Sequence, residues 1–97
     1  MRFEWDAEKN KANIQKHGLD FADAREIFTG PILVALDDRE DYGEDRWIGI
    51  GMIKSRTVVV LYPEQGEDDI RIISLRKALT HERNQYEQFL KNQLGTD

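Results

Sequence analysis

At Gly30-Pro31 the spacing of apolar residues changes from helical to strand-like, and that switch limits the architectures open to this chain more than any other feature. Before it lie two stretches with apolar residues at helical spacing. After it come Ile32–Leu36, Arg46–Ile53, Thr57–Tyr62 and Ile70–Leu75, each short and rich in β-branched or aromatic residues. The connections between these strands are too short for a crossover helix, so neighbours should run antiparallel. Arg2–Trp5 forms a further strand at the start, with Phe3 and Trp5 on one face. The expected order is β-α-α-β-β-β-β-α, an α+β fold: a curved antiparallel sheet with two N-terminal helices and one C-terminal helix packed on one face. Ninety-seven residues provide for one domain spanning 1–97.

The helices carry their own start and stop signals. Asp6 caps a helix from Ala7 to about His17, and Gly18 stops it; Ala7, Ala12 and Ile14 make a narrow buried stripe. Asp20 caps a second helix reaching Thr29, with Phe21, Ala24, Ile27 and Phe28 inward. Thr80 caps the third, which runs to about Leu94, with Glu82 in its first turn and Leu79, Tyr86, Phe89 and Leu90 on one face. Gly49 and Gly51 stand opposite Ile48, Ile50 and Met52 on their strand, which points to close approach of another backbone or a ligand.

Composition excludes several classes of function. With no cysteine there are no disulfides, thiol nucleophiles or cysteine-based zinc sites, and His17 and His81 alone do not make a metal site. No apolar run approaches the roughly 18 residues needed to span a bilayer, and no signal-peptide pattern is present, so the expected location is the cytoplasm. The net charge of −5 is unevenly spread: residues 31–69 hold four Lys and Arg against ten Asp and Glu, whereas residues 70–97 hold five against three. The Asp37–Asp45 stretch reads as a solvated acidic loop, without the carboxylate spacing of a calcium loop. Ser74, Arg76, Lys77 and Arg83 place cations at the end of a buried strand, where an anion would be handled.

Four blocks of residues stand together in a recognisable order. They are Phe3-Glu4-Trp5-Asp6; Asn13 with Lys16-His17-Gly18 and Phe21; Arg46-Trp47-Ile48-Gly49 with Gly51; and Arg71-Ile72-Ile73-Ser74 with Arg76-Lys77-Ala78, followed by Glu82, Arg83 and Tyr86. On these the chain resembles, over nearly its whole length, the BrnT family of bacterial type II toxins. The resemblance implies a RelE-like ribonuclease fold and an endoribonuclease that inhibits translation, acting without a cofactor on RNA, free or ribosome-bound. It implies a BrnA-like ribbon-helix-helix antitoxin, a toxin–antitoxin heterotetramer that represses its own operon, and contact with DNA only through the antitoxin. Leu75 departs from the family pattern, which has a small residue there.

Metal-independent RNA cleavage needs a group that takes the 2′-hydroxyl proton, cations that stabilise the phosphorane, and a proton for the leaving oxygen. The candidate catalytic residues are Arg76 and Lys77 for charge, His17 for proton transfer, and Ser74 as a donor on the Arg76 side of the strand. The candidate substrate-binding residues are Lys16, Arg46, Arg83 and Trp47, the last as a stacking platform for a base. Five of them have a plainer alternative: a salt bridge for Arg76, a backbone bond for Ser74, the helix dipole for Lys16 and His17, core packing for Trp47. Two other functions compete: a non-catalytic domain that clasps a DNA-binding partner and tunes repression, and a nucleic-acid-binding module without chemistry. The pI of about 5.0 opposes the second.

Overall fold

Asp6 is extended, and its carboxylate accepts the backbone N–H groups of Glu8 and Lys9, which starts the first helix. The computed structural model of the chain describes residues 1–39, 41, 43–63 and 68–93. Its elements are β1 (Arg2–Trp5), α1 (Ala7–His17), a 3₁₀ turn (Phe21–Ala24) running into α2 (Arg25–Thr29), β2 (Leu33–Asp37), β3 (Arg46–Ile53), β4 (Arg56–Pro63), β5 (Asp69–Ile72), β6 (Ser74–Lys77) and α3 (Thr80–Gln93). Gly18 ends α1 at φ 69°, its N–H donating to the Ile14 carbonyl at 2.8 Å. Asp20 also acts as a cap, accepting from Ala22 N–H, but it opens a 3₁₀ turn and a short helix instead of the single α-helix expected. Phe21, Ala24 and Ile27 are buried at a spacing of three, which a 3₁₀ turn satisfies as well as an α-helix does.

β2, β3, β4 and β6 form one antiparallel sheet in that order. The stretch expected as a single strand, Ile70–Leu75, is in fact two. β5 leaves the sheet to pair in parallel with β1, matching Phe3 to Ile70 and Trp5 to Ile72, and the residues between them supply the long crossover a parallel pair requires. Ile73 marks the corner, its N–H reaching the Leu61 carbonyl at 2.8 Å.

The helices lie on both faces of the sheet, not on one. Ile50 and Gly51 are successive strand residues and point opposite ways. Ile27 of α2 covers the Gly51 face, while Tyr86 of α3 packs on Ile50 and Val59 on the other. Two-sided burial follows from Val58-Val59-Val60, an apolar run with no polar side to leave in water. The larger core sits under α2, with Phe21, Ile27, Val58, Val60 and Leu75 fully enclosed and Phe3, Phe28 and Tyr62 packed along its edge in tilted and edge-to-face contacts, at 5.5 and 5.4 Å between ring centroids. Leu75 therefore fills core volume.

Two large apolar residues depart from the expected stripes. Ile14 is 41% exposed and the buried residue of α1 is Asn13; Leu79, at 56%, precedes α3 instead of belonging to its buried face. Thr80 is the first helical residue, so Leu79 occupies the cap position, and its N–H is taken by the Glu82 carboxylate at 2.8 Å. Asp37 ends β2 buried at 4% exposure, gripping Arg39 at 2.7 and 2.9 Å, so the solvated loop begins after it.

The two strand glycines make room chiefly for side chains, with the Ile27 carbonyl also 3.6 Å from where a Cβ on Gly51 would lie. A Cβ on Gly51 would lie 2.6 Å from Cγ2 of Ile27, and one on Gly49 2.8 Å from Cδ1 of Ile32. Since Cγ2 branches next to the helix backbone and Cδ1 is a mobile tip, Gly51→Ala is expected to cost about 1–3 kcal/mol and Gly49→Ala less. Thermal melts of the two variants check the order. Among the described residues, no helix is long and apolar enough to cross a membrane.

Candidate active site

The end of α1 and the end of β6 are brought together by one buried side chain. The Asn13 amide donates to the carbonyls of Leu19 (3.0 Å) and Leu75 (2.8 Å), and its oxygen accepts Leu75 N–H at 3.2 Å. Leu75 turns both backbone groups away from β4, and Asn13 takes them much as a neighbouring strand would. That junction fixes Lys16 and His17 of α1 beside Arg76 and Lys77 of β6. Together with Leu79 these four line an open pocket of about 490 Å³. Lys16 and His17 fall in the last turn of α1, where the helix dipole favours them.

Arg76 lies on the α3 face of the sheet, opposite Val59, and its guanidinium is not solitary. Nη1 and Nη2 donate to the two carboxylate oxygens of Glu82 at 2.7 and 2.8 Å, and Nη1 also reaches the Lys77 carbonyl at 3.3 Å. This pairing holds the Glu82 carboxyl below the usual carboxylate range and raises Arg76 further above an already high value. Arg39, oriented by buried Asp37, stands near enough for its charge to oppose that of Arg76.

The other expected site residues are more scattered. Ser74 lies on the Arg76 side of β6, opposite Leu61, half-buried and outside the pocket lining; its hydroxyl makes no hydrogen bond to another described residue. Arg46 begins β3 on the same sheet face, with Nε 3.8 Å from Glu44. Trp47 points to the opposite face, between Leu36 and Tyr62 in register, half-buried. Arg83 is exposed on α3. None of these four lines the pocket. His81 lies along a separate apolar groove formed by Leu33, Ala35, Ile48 and Ile50. Tyr86 is core, its hydroxyl donating to the Pro31 carbonyl at 2.7 Å.

Sequence alone did not point to Glu82 as the partner of Arg76, nor to Asn13 as the tether. A carboxylate at the third position of a helix is a visible capping signal. Its reach back to a strand residue is a tertiary contact with no local period. For Asn13 the signal was a polar residue in a helix whose apolar stripe is too narrow to dock it.

Two lysines, a histidine and an arginine thus meet around one open pocket of a small α+β chain, a charge arrangement suited to an anion. A family model described as ribonuclease toxin, BrnT, of type II toxin-antitoxin system matches residues 5–82. The chain belongs to that family. The crystal structure of the Brucella abortus ribonuclease toxin BrnT, at 1.1 Å resolution, is similar at 32% identity and a TM-score of 0.63, over 82% of this chain and 99% of that one. No curated protein matches.

Proposed function

We propose that this chain is an endoribonuclease toxin that cuts RNA without a metal, inhibits translation by destroying mRNA in the cytoplasm, and is neutralised by a ribbon-helix-helix antitoxin. The observation that carries the chemistry is the meeting of Lys16, His17, Arg76 and Lys77 at one pocket from segments that lie far apart in the chain. In the step they serve, the 2′-oxygen bonds to phosphorus and His17 takes its proton. Arg76, Lys77 and Lys16 hold the charge that builds on the phosphorane. The bond to the 5′-oxygen breaks, and that oxygen is protonated by water at the open mouth. A 2′,3′-cyclic phosphate and a 5′-hydroxyl result. Ser74, Arg46, Trp47 and Arg83 are then contacts for RNA beyond the reacting phosphate. The RelE-like reading of the fold goes with this assignment.

The test is incubation of the purified protein with RNA in the presence of a chelator, followed by analysis of the fragment ends. Cyclic phosphate termini support the reading, and intact RNA overturns it. A second reading, a non-catalytic domain that clasps a DNA-binding partner, draws on the engagement of Arg76 by Glu82. The same assay decides between them.

The partner is argued from charge. Asp38, Asp41, Glu44 and Asp45 are exposed around a basin beside the end of β2, which among the described residues is an edge strand with Val34 and Leu36 exposed. Asp68 adds exposed charge elsewhere, Asp69 is engaged by Arg2, and Glu67 lies outside the described residues. A basic antitoxin is steered to such a surface, so its association rate is expected to fall steeply between low and physiological salt. A rate that is flat across the series would leave the acidic residues with solubility alone. The heterotetramer and the contact with DNA through the antitoxin belong to the same proposal.

A further inference from the structure

Among the described residues, three arginines grip carboxylates through two hydrogen bonds, and one does so differently. Arg2 and Arg39 present the side edge of the guanidinium, Nε and Nη2, to Asp69 and Asp37. Arg76 presents its end, Nη1 and Nη2, to Glu82. The guanidinium carries five N–H donors in a rigid plane. Two are spent on Glu82 and one is directed at the Lys77 carbonyl. The two that remain are Nε–H and the second proton of Nη2, which together form the side edge. Neither meets an acceptor among the described residues, and Nε is not sealed from solvent. The strongest carboxylate contact of the site therefore leaves vacant the fork that suits two phosphate oxygens.

We infer that Glu82 is the positioning residue of this site: it holds the end of the Arg76 guanidinium so that the Nε–Nη2 edge is the one that receives the scissile phosphodiester. The inference rests on the ribonuclease reading above. It also removes the apparent conflict between a salt-bridged Arg76 and a phosphate-binding Arg76, because the two ligands take different edges. Glu82 is itself fixed from behind, by the Leu79 N–H at the start of α3. Strand, helix start and guanidinium thus form one rigid unit. Without Glu82 the arginine keeps its charge but not its direction, and phosphate can be bound without being held in line for attack.

The experiment compares wild type, Glu82→Gln and Arg76→Ala in steady-state cleavage of an RNA oligonucleotide, with binding of the same oligonucleotide carrying a 2′-deoxy substitution at the cut. Gln can still accept the Leu79 N–H, so E82Q is expected to melt within a few degrees of wild type. Its kcat is expected to fall about 10²-fold, the scale on which small misplacements act, with KM and affinity for the uncleavable oligonucleotide unchanged or improved. Wild-type kcat in E82Q, or a loss confined to KM, overturns the inference. A second measurement needs no variant: in the wild-type protein, ¹⁵N–¹H spectra of arginine side chains should show the Arg76 Nε–H shift when the uncleavable oligonucleotide is added. No shift there also overturns it. If R76A cleaves as wild type does, the ribonuclease role of Arg76 itself fails. An inactive R76A beside a fully active E82Q removes only the positioning role.

Discussion

Arg76→Ala is expected to lower RNA cleavage by roughly 10²–10³ per folded molecule, the usual loss when one fixed electrostatic donor is taken from a developing charge. Arg76→Lys is expected to restore stability without restoring the rate. In the alanine variant Glu82 loses its partner, and since that carboxylate is mostly enclosed, the melting temperature should drop by a few degrees. Lysine returns a positive charge to Glu82 and most of that loss with it. An ammonium, though, is a point charge on a flexible stem, and it cannot hold a carboxylate by one edge and a phosphate by another. Stability and rate should therefore separate in the lysine variant. Melting curves and initial rates on the same preparations would show it. Full cleavage by a destabilised alanine variant would make Arg76 a structural ion pair and nothing more.

The second large effect is at Asn13. Asn13→Ala removes three hydrogen bonds at a site only 8% exposed and strands the backbone groups of Leu75 together with the Leu19 carbonyl. Each buried group left without a partner costs about 1–3 kcal/mol. Partial relaxation brings the expected total to about 2–4 kcal/mol, a large share of the roughly 5–15 kcal/mol typical of a whole domain. Asn13→Asp is expected to be no better, since a carboxylate oxygen would then face two carbonyls where an amide had donated. Cleavage should fall by more than the folded fraction does, because α1 and β6 lose the junction that sets Lys16 and His17 against Arg76 and Lys77. Urea titrations with rates measured on the folded protein would test both parts. An aspartate variant as stable as wild type would mean that Asn13 does not donate to Leu19 and Leu75.

Much of this architecture is legible in the residues themselves. Asp6, Gly18 and Asp20 cap because short carboxylates and a left-handed glycine act on their immediate neighbours, whatever the tertiary context. The strands over 46–53 and 56–63 follow from β-branched density. Val58-Val59-Val60 carries the two-sided burial that places α3 opposite α2, a signal that the expectation of helices on one face did not take up. The features that stay hidden are set by contacts distant in sequence. Ile70–Leu75 contains no glycine or proline to mark a break, and the availability of β1 as a parallel partner divides it at Ile73. In the pocket, Arg76, Lys77, Lys16 and His17 could be picked out as charges near the right motifs. That Trp47 and Arg83 fall outside it depends on register and helix phase, which charge patterning does not specify.

The crossover between β1 and β5 has a consequence for the order in which the chain is made. β1 and α1 leave the ribosome well before β5, so β1 has no strand to pair with until residues 69–72 have emerged. Half of the cationic pocket is likewise carried by α1 and half by β6, so a chain halted anywhere before Arg76 holds Lys16 and His17 without their counterparts. Contacts of such long sequence separation form late, because the intervening loop must be closed first. The pocket is therefore complete only once Arg76 and Lys77 have been made and β6 has docked against α1. Under the docking proposed above, Asp38, Asp41, Glu44 and Asp45 are made well ahead of the residues that complete the pocket, which leaves an interval for an antitoxin to engage them first.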